Sequence, residues 1–290
     1  MMHASVLLGE SLEFLAIRPD GIYVDATFGA GGHTRAILER VSSGRVIALD
    51  ADPDAVSRAR AIVNPSFTFV QANFSDLRRV LDDCGVEYVD GILFDLGVSS
   101  MQLDEAQRGF SFREDAPLDM RMDPYAGRSA YDILASASES ELADIFFHYG
   151  EERAARRIAH AIVVRRASGR LPHTTMEFAA MISGIVHRPG KRERIHPATR
   201  VFQALRIAVN DELEVLKTGL GAAIGSLRAA GRVVAISFHS LEDRIVKQTF
   251  RGDERLSVLT KKPIVPSDSE MAENSRARSG KLRAAQRKAS

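Results

Sequence analysis

A glycine-rich turn near the start of the chain is the feature that most constrains the fold. Residues 22–33 read Ile-Tyr-Val-Asp-Ala-Thr-Phe-Gly-Ala-Gly-Gly-His. The first part carries β-branched residues at alternate positions, which favour a packed strand, and the glycines let the backbone turn sharply beside a ligand. We expect a helix over residues 34–40 and a second strand over 45–49, followed by Asp50. An acidic residue at this distance from a glycine turn binds ribose hydroxyls in nucleotide-binding folds.

The spacing of the glycines argues against a dinucleotide cofactor. A dinucleotide-binding turn carries Gly-x-Gly-x-x-Gly, whose third glycine seats the helix against the strand. Here Gly29 and Gly31 are followed by Thr34 where that third glycine would stand. With Asp25 four residues before Gly29, the turn resembles the first motif of methyltransferases that use S-adenosylmethionine. An ordinary tight turn of an α/β protein is the alternative interpretation.

Composition excludes several classes of protein. The chain has 290 residues, of which 45% are hydrophobic and 27% charged, as in a globular protein with ample core. It shows no apolar run long enough to cross a bilayer and no secretion signal, so we expect a cytoplasmic protein without a membrane partner. Its single cysteine, Cys84, excludes an internal disulfide and a cysteine-based zinc site. No second histidine stands at ligand spacing from His33, so we expect no metal.

Positive charge is concentrated in the later part of the chain, although the net charge is only +1. Residues 1–103 contain 8 Lys/Arg and 14 Asp/Glu, which leaves 31 and 24 of the totals of 39 and 38 for the remainder. This asymmetry suggests a polyanionic partner. The candidates for phosphate contacts are Arg153, Arg156, Arg157, Arg165, Arg166, Lys191, Arg192, Arg194, Arg200 and Arg206. A solvated helix face is the alternative explanation for any one of them.

Later segments first extend the sheet and then interrupt it. We expect a third strand over residues 67–70 and a fourth over 90–94 that places Asp95 at the carboxyl edge, where ligands of open α/β sheets bind. Residues 104–210 then read as helical and arginine-rich, without strand-like runs. We therefore predict a doubly wound, Rossmann-like α/β sheet domain with an inserted helical domain. The predicted boundaries are 1–103 and 211–290 for the sheet domain and 104–210 for the insert.

The sheet resumes after the insert. Residues 211–229 read as a helix and residues 231–237 as a fifth strand. Two closing strands are expected over 256–259 and 281–285. Residues 266–280 are rich in Ser, Glu and Arg and predict a loop.

Six motifs in order give the chain a more specific resemblance. They are Phe-Gly-Ala-Gly-Gly-His at 28–33, Asp-Leu-Gly-Val-Ser-Ser at 95–100, Arg-Gly-Phe-Ser-Phe at 108–112, Pro-Leu-Asp-Met-Arg-Met-Asp at 117–123, His-Pro-Ala-Thr-Arg at 196–200, and Ser-Phe-His-Ser-Leu-Glu-Asp-Arg at 237–244. The chain is similar to the bacterial family that methylates the exocyclic N4 amine of a cytosine in small-subunit (16S) ribosomal RNA. The resemblance implies a class I methyltransferase fold, S-adenosylmethionine as cofactor, a cytidine of the decoding region as target, and RNA of the small ribosomal subunit as substrate.

The same resemblance assigns a set of cofactor-binding residues. They are Gly31, Gly32, His33, Asp50, Phe74, Asp95 and Gln102. Asp50 would accept hydrogen bonds from the ribose hydroxyls, and Gln102 offers both donors and an acceptor to the methionine tail. Phe74 would pack on the adenine, or else be a core aromatic. His33 would hydrogen-bond the cofactor carboxylate, or else cap or pack its helix.

The acceptor that holds the target amine stays open. The lone pair of a cytosine amine is delocalised into the ring, so the site must hold the amine hydrogens and orient the nitrogen. Asp95 is the first candidate, and Asp119 or a backbone carbonyl is the second. Many amino-methyltransferases have a pair of prolines after this acidic residue, but here Asp95 is followed by Leu-Gly. The target base must leave its stack, and Phe238 is expected to stack on it as a further catalytic residue.

The segment around Phe238 has two interpretations that can hold together. His239 or Ser237 would read the edge of the base. The segment also reads as a strand-to-helix junction, with Ser240 as the N-cap and Glu242 in the first turn.

Two other functions compete with methyl transfer. A nicotinamide-dependent reductase would share the glycine turn, but the third glycine is missing and the basic helical insert has no role in it. A non-catalytic RNA-binding factor of ribosome assembly would share both the cofactor fold and the basic insert. The sequence leaves the oligomeric state open between a monomer and a homodimer.

Overall fold

The computed structural model describes residues 5–186 and 195–289, and these fold into two compact units. The first unit combines Met1–Ser99 with Leu213–Ser290, and the second is Ser100–Glu212. The chain therefore leaves the first unit once and returns to it. The assignment of the second unit to RNA recognition stays a prediction.

A sheet of seven strands forms the centre of the first unit, counted over the described residues. The strands are β1 (Ile22–Asp25), β2 (Arg45–Asp50), β3 (Phe67–Gln71), β4 (Val89–Asp95), β5 (Leu227–Ser237), β6 (Leu256–Val258) and β7 (Lys281–Arg287). Their order is β3-β2-β1-β4-β5-β7-β6. Strands β1 to β5 are parallel, whereas β7 is antiparallel to β5 and β6. This order confirms the predicted doubly wound, Rossmann-like α/β fold.

Helices flank the sheet and build the second unit. In chain order they are α1 (Leu8–Leu15), α2 (Gly32–Leu38), α3 (Asp54–Arg60), α4 (Leu77–Asp83), α5 (Ser100–Asp104), α6 (Ala130–Ser136), α7 (Glu139–His148), α8 (Ala155–Ala167), α9 (Thr175–Val186), α10 (Ala198–Asn210), α11 (Glu212–Ser226), α12 (Ser240–Gly252) and α13 (Asp268–Glu273). Helices α5 to α10 belong to the second unit. Among the helices described, none has both the length and the apolar character that crossing a bilayer requires.

The sheet is buried on both faces, which explains its nearly continuous apolar strands. Val24 and Ile92 are paired across β1 and β4 and lie in one core cluster. Tyr23 and Leu93, their neighbours in sequence, lie in the other cluster. Because successive side chains of a strand point to opposite faces, each central strand contributes to both cores.

Three acidic residues end neighbouring parallel strands. Asp25 ends β1, Asp50 ends β2 and Asp95 ends β4, and these strands lie in the order β2-β1-β4. The carboxyl ends of parallel strands meet at one edge of a sheet, and ligands of doubly wound folds bind outside that edge. The topology thus brings three carboxyl groups to one place.

The start of the fifth strand differs from the prediction. Strand β5 begins at Leu227, so the helix predicted over 211–229 was wrong in its last residues, and α11 ends at Ser226. The pairing of β4 with β5 is irregular here, and Ala230 adopts a left-handed φ of 63°. This local irregularity interrupts the alternation of apolar and polar residues from which a strand is predicted.

The predicted loop over 266–280 was also wrong. It contains α13 and a short 3₁₀ helix at Ser275–Ser279. The Ser267 side chain caps α13 by accepting a hydrogen bond from the Glu270 backbone N–H at 3.2 Å. Glu270 Oε1 in turn accepts from the Leu7 N–H at 2.7 Å. A polar helix of this length has no apolar periodicity, so tertiary contacts define it.

The second unit is held by capped helices around an apolar centre. Ser129 and Asp132 form a capping box at the start of α6, and Ser138 and Glu141 form another at the start of α7. Pro117 and Thr174 form an isolated antiparallel bridge. The large buried side chains of this unit include Leu142, Phe146, Ile158, Ile162, Phe178, Phe202 and Leu205.

Candidate functional site

The glycine turn between β1 and α2 is too tight for side chains at two of its positions. Gly29 and Gly31 have left-handed φ values of 53° and 78°. A Cβ atom on Gly31 would lie 2.8 Å from the Phe28 ring, and one on Gly32 would overlap the Ser5 hydroxyl. The Gly31 N–H donates to the Phe28 carbonyl at 2.7 Å and closes the turn. Glycine is therefore required by the packing of the turn itself.

Asp50 is fixed to this turn by backbone hydrogen bonds. Its Oδ2 accepts from the Gly29 N–H at 2.7 Å, and its Oδ1 accepts from the Asp52 N–H at 2.9 Å. Burial raises the pKa of Asp50 to about 6, although the two N–H donors oppose the shift. Each carboxylate oxygen keeps a further lone pair, so the geometry suits a ligand with two hydroxyl donors. Asp50 thus lies where the sequence predicted a ribose-binding carboxylate.

His33 and Asp95 form a second, less complete group at the same edge. The His33 ring is 4% exposed, and its Nε2 lies 3.5 Å from Asp95 Oδ2, beyond a well-formed hydrogen bond. Among the described residues, both ring nitrogens and Asp95 Oδ1 are buried without a hydrogen-bond partner. Burial lowers the pKa of His33, but the carboxyl groups of Asp95 and Asp25 outweigh it and hold the pKa above its usual value.

Asp25 organises this edge from inside the protein, a role that the sequence did not reveal. It is fully buried, its Oδ2 accepts from the Thr34 hydroxyl at 2.6 Å, and its Oδ1 accepts from the Thr27 N–H at 3.2 Å. Burial raises its pKa. Thr27 Oγ1 accepts from the Asp95 N–H at 2.6 Å, which ties the β1 loop to β4. A buried acid followed nine residues later by a helix threonine is the signal that would have indicated this link.

The structure brings Phe238 to the loop that follows Asp95. Gly97 has a φ of 90°, and a Cβ atom on it would lie 3.7 Å from Phe238 Cδ2. The Phe238 ring is partly buried, and its N–H donates to Glu242 Oε2 at 2.8 Å. The ring therefore borders the loop that carries the candidate amine acceptor.

The helix after Phe238 is capped by His239, so the predicted Ser240 cap was wrong. His239 Nδ1 accepts from the Glu242 N–H, and the Glu242 side chain accepts from the His239 N–H at 3.2 Å. Here an imidazole nitrogen accepts the hydrogen bond that a Ser or Thr hydroxyl usually accepts. A rule that looks for Ser or Thr at the cap therefore selects the neighbouring Ser240. The Ser237 hydroxyl is buried and donates to the Lys281 carbonyl at 3.3 Å, so it serves the β5–β7 pair.

Phe74 is wedged between the sheet and a helix. Its ring meets Phe94 edge-to-face with the centroids 5.4 Å apart, and a Cβ atom on Gly219 would lie 2.5 Å from its Cδ2. Both interpretations made from the sequence survive, because the ring is packed on the core yet remains partly exposed. Its contact with adenine stays a prediction.

Two residues predicted to bind the cofactor or the target amine belong to the second unit. Gln102 is buried within α5. Asp119 makes two side-chain bonds with Arg121, from Nε at 2.9 Å and from Nη2 at 2.7 Å. Burial alone would raise the pKa of Asp119, but Arg121 holds it below its usual range. Since both oxygens of Asp119 are engaged, the geometry favours Asp95 as the amine acceptor; both residues' roles stay predictions.

The predicted phosphate contacts differ in how available they are. Arg200 is exposed, whereas Arg206 makes two bonds to Glu212, at 2.7 and 2.9 Å, with only 16% of its side chain exposed. Arg166 donates to the carbonyls of Leu134 and Ala137. These pairings favour structural roles for Arg206 and Arg166. Lys191, Arg192 and Arg194 lie outside the described residues.

The carboxyl edge of the sheet therefore fits the nucleoside cofactor predicted from the sequence. Asp50 supplies acceptors beside a glycine turn, and His33 and Asp95 present buried polar atoms that no described residue completes. Buried polar atoms without partners are costly unless a ligand or water satisfies them. The group suits a ligand with hydroxyls at one end and charged groups at the other.

Comparison with known proteins gives matches over nearly the whole chain. The model of the MraW methylase family matches residues 1–288. Ribosomal RNA small subunit methyltransferase H of Geobacter sulfurreducens is 51% identical, with 98% of each chain covered. The protein of the same name from Thermomicrobium roseum is 50% identical over 98% of this chain and 93% of its own. A solved rRNA methylase from Streptococcus thermophilus aligns with 100% of this chain and 99% of its own at 11% identity, with a TM-score of 0.47.

Proposed function

The chain belongs to the MraW methylase family, and from this premise we propose that it methylates the N4 amine of a cytidine in the decoding region of small-subunit ribosomal RNA. It is a methyltransferase that uses S-adenosylmethionine. The observation that carries the proposal is the 51% identity to a relative named as a small-subunit ribosomal RNA methyltransferase. The chain also has Asp50, His33 and Asp95 together at one edge of the sheet. From a substrate of this kind we infer a cytoplasmic protein.

Different residues at the carboxyl edge of the sheet would bind different parts of the cofactor. When bound, S-adenosylmethionine supplies a methyl group activated by a sulfonium. Asp50 would accept the ribose hydroxyls, and the glycine turn at Gly31 and Gly32 would let the backbone approach the cofactor. His33 would hydrogen-bond the carboxylate of the methionine part. Phe74 and Gln102 would complete the pocket.

Asp95 would then act on the target base. Its unpartnered Oδ1 is an acceptor for an amine hydrogen, which orients the nitrogen lone pair toward the methyl group. Methyl transfer would form the N–C bond as the C–S bond breaks and would make the nitrogen more acidic, so a carboxylate at hydrogen-bond distance would hold the proton that the nitrogen releases. Phe238 would stack on the extruded cytosine beside Gly97. Asp119 or a backbone carbonyl remains the second choice for the acceptor.

Labelled-methyl transfer to small subunits that lack the modification tests the proposal. We expect one methyl group per subunit, and nucleoside mass spectrometry should locate it on the N4 atom of a cytidine. Methylation of a carbon, of a ribose or of another base would reject it. RNA binding without turnover would support the assembly-factor alternative. S-adenosylhomocysteine should raise the melting temperature, whereas a rise with NADH instead would support a reductase.

The raised pKa of Asp50 predicts a pH dependence of cofactor binding. The ionised carboxylate is the better acceptor for hydroxyl donors, and burial holds its pKa at about 6 in the free protein. The affinity for S-adenosylhomocysteine should therefore be constant above pH 7 and fall by about tenfold per pH unit below 6. Isothermal titration calorimetry across this range measures it. Asp50→Asn should remove the slope; a slope that survives would point to His33 or Asp25.

The basic segment at 191–194 should contribute to RNA affinity. Replacing Lys191, Arg192 and Arg194 together by alanine should weaken RNA binding and flatten its dependence on salt, because each lost phosphate contact lowers the slope by about 0.7–0.9. Filter binding of small-subunit RNA at several salt concentrations measures both quantities. An unchanged slope would remove this segment from the interface.

A further inference from the structure

A groove in the second unit lies between the end of α7 and the start of α8. It has a volume of about 570 Å³, and its polar and aromatic lining consists of Asp144, Phe147, His148, Arg153, Arg156 and Arg157. We refer to these six residues as the α7–α8 groove. None of them is among the residues described above at the carboxyl edge of the sheet.

The three arginines of the groove are available for a ligand. Arg153, Arg156 and Arg157 are exposed, and no residue within the described ranges makes a hydrogen bond or ion pair with them. Arg121 and Arg206, by contrast, each make two-bond pairs with a carboxylate of the same unit.

Their position works against the stability of the helix. Arg156 and Arg157 occupy the first turn of α8, which carries no acidic residue and no side-chain cap. Cations at this end of a helix meet the positive end of the helix dipole, so the two charges oppose folding. The Glu152 carboxylate, which accepts from the Ala154 N–H at 2.7 Å just before the helix, offsets part of this cost. Charges that oppose the local fold in this way are typical of functional sites.

An open aromatic face stands beside these charges. The Phe147 side chain is 57% exposed, whereas its neighbour Phe146 is fully buried in the core of the unit. The Phe147 and His148 rings meet edge-to-face, with centroids 5.1 Å apart and 83° between their planes, so the two rings are not stacked on each other. Asp144 is the acidic member of the groove, against three guanidinium groups.

We propose that the α7–α8 groove binds an unpaired segment of the substrate RNA, with a base stacked on Phe147 and the flanking phosphates on Arg153, Arg156 and Arg157. This inference rests on the proposed function and names a second contact of the same substrate. Guanidinium groups beside an exposed aromatic ring are the combination by which proteins hold single-stranded nucleic acid. A duplex is a poorer match, because its bases are stacked on each other and present no free face to Phe147. An acidic protein segment would match the arginines but would leave the ring unused.

The charge half of the proposal is tested with the full-length protein and small-subunit ribosomal RNA in filter-binding assays. Arg156→Ala with Arg157→Ala should lower the slope of log affinity against log salt by about 1.4. Arg40→Ala with Arg60→Ala is the matched control, because both arginines are exposed and lie where their helices return to the amino edge of the sheet. This control should leave the slope unchanged, and an equal effect of both pairs would overturn the proposal.

The stacking half is tested by a series at one position. Phe147→Ala and Phe147→Leu should each lower RNA affinity by about tenfold, because both remove the aromatic face, and Phe147→Tyr should keep it. Equal affinities across the series, or loss only in Phe147→Ala, would overturn the stacking role. S-adenosylhomocysteine affinity should not change in any variant, and the temperature of thermal unfolding should not fall, since these side chains are exposed.

Two further outcomes separate the partner from the reaction. If the variants bind free RNA normally but bind assembled small subunits poorly, the groove contacts a ribosomal protein and the proposal is wrong. If the wild-type protein fails to methylate small subunits, the proposed function is wrong. The binding series would still show whether the α7–α8 groove binds RNA. Normal methylation by wild type with no effect of any groove variant would reject the groove alone.

Discussion

Asp50→Ala is expected to lower the affinity for S-adenosylhomocysteine by about 100-fold or more. The variant removes an acceptor for two ribose hydroxyls, and hydrogen bonds to a charged group contribute about 1.5–3 kcal/mol each. It also leaves the Gly29 and Asp52 N–H groups without the acceptor that fixes the turn. Isothermal titration calorimetry with S-adenosylhomocysteine measures the loss.

The controls for Asp50 separate cofactor binding from RNA binding. Asp50→Asn keeps one acceptor oxygen and should lose less affinity than Asp50→Ala. Asp82→Ala removes an exposed carboxylate of α4 that pairs with Arg78, and should leave the affinity unchanged. The affinity of Asp50→Ala for small-subunit RNA should stay near that of wild type. An equal loss of both affinities would contradict the assignment of cofactor binding to the first unit and of RNA binding to the second.

Asp95→Asn is expected to lower kcat by about 10²–10³, the range typical when one preorganised polar group of a reaction centre is lost. The amide has less charge to stabilise the proton released by the amine, so the loss should fall on the chemical step. Affinity for S-adenosylhomocysteine should change by less than tenfold. Single-turnover methylation of small subunits measures the step directly.

Two comparisons decide whether Asp95 acts on the amine. Asp119→Asn should change kcat by a small factor only, because Asp119 is engaged by Arg121. A larger loss for Asp119→Asn than for Asp95→Asn would reverse the assignment. The pKa of His33, followed by NMR, should fall in Asp95→Asn, because the carboxylate that raises it is gone. A large loss of cofactor affinity instead would assign Asp95 to the methionine tail.

The sequence predicted those parts of the site that depend on short spacings along the chain. The glycine turn and Asp50 are separated by one helix and one strand, so spacing alone placed them together at the edge. Asp95 followed from an apolar strand and from the rule that parallel strands end at one edge. The positions of the first four strands along the chain therefore needed no tertiary information.

The parts that were missed depend on contacts between distant or unusual partners. The buried role of Asp25 requires Thr34 to face it from α2, which a strand pattern does not contain. The sequence shows the charge of Arg206, which predicts a phosphate contact, but does not show its pairing with Glu212. The cap at His239 uses a ring nitrogen in a role usually given to Ser or Thr. In each case the stabilising contact depends on three-dimensional geometry that a pattern along the sequence does not encode.

The interrupted first unit has a consequence for biosynthesis. The strands β1, β2 and β4, whose final residues meet at the carboxyl edge of the sheet, have all left the ribosome tunnel long before β5, which begins at Leu227. Until then the outer side of β4 offers unpaired N–H and C=O groups and uncovered apolar surface, a hazard for association with other chains. A nascent chain halted within the helical insert should therefore need chaperones, and the enzyme's competence to bind its cofactor should arise late in translation.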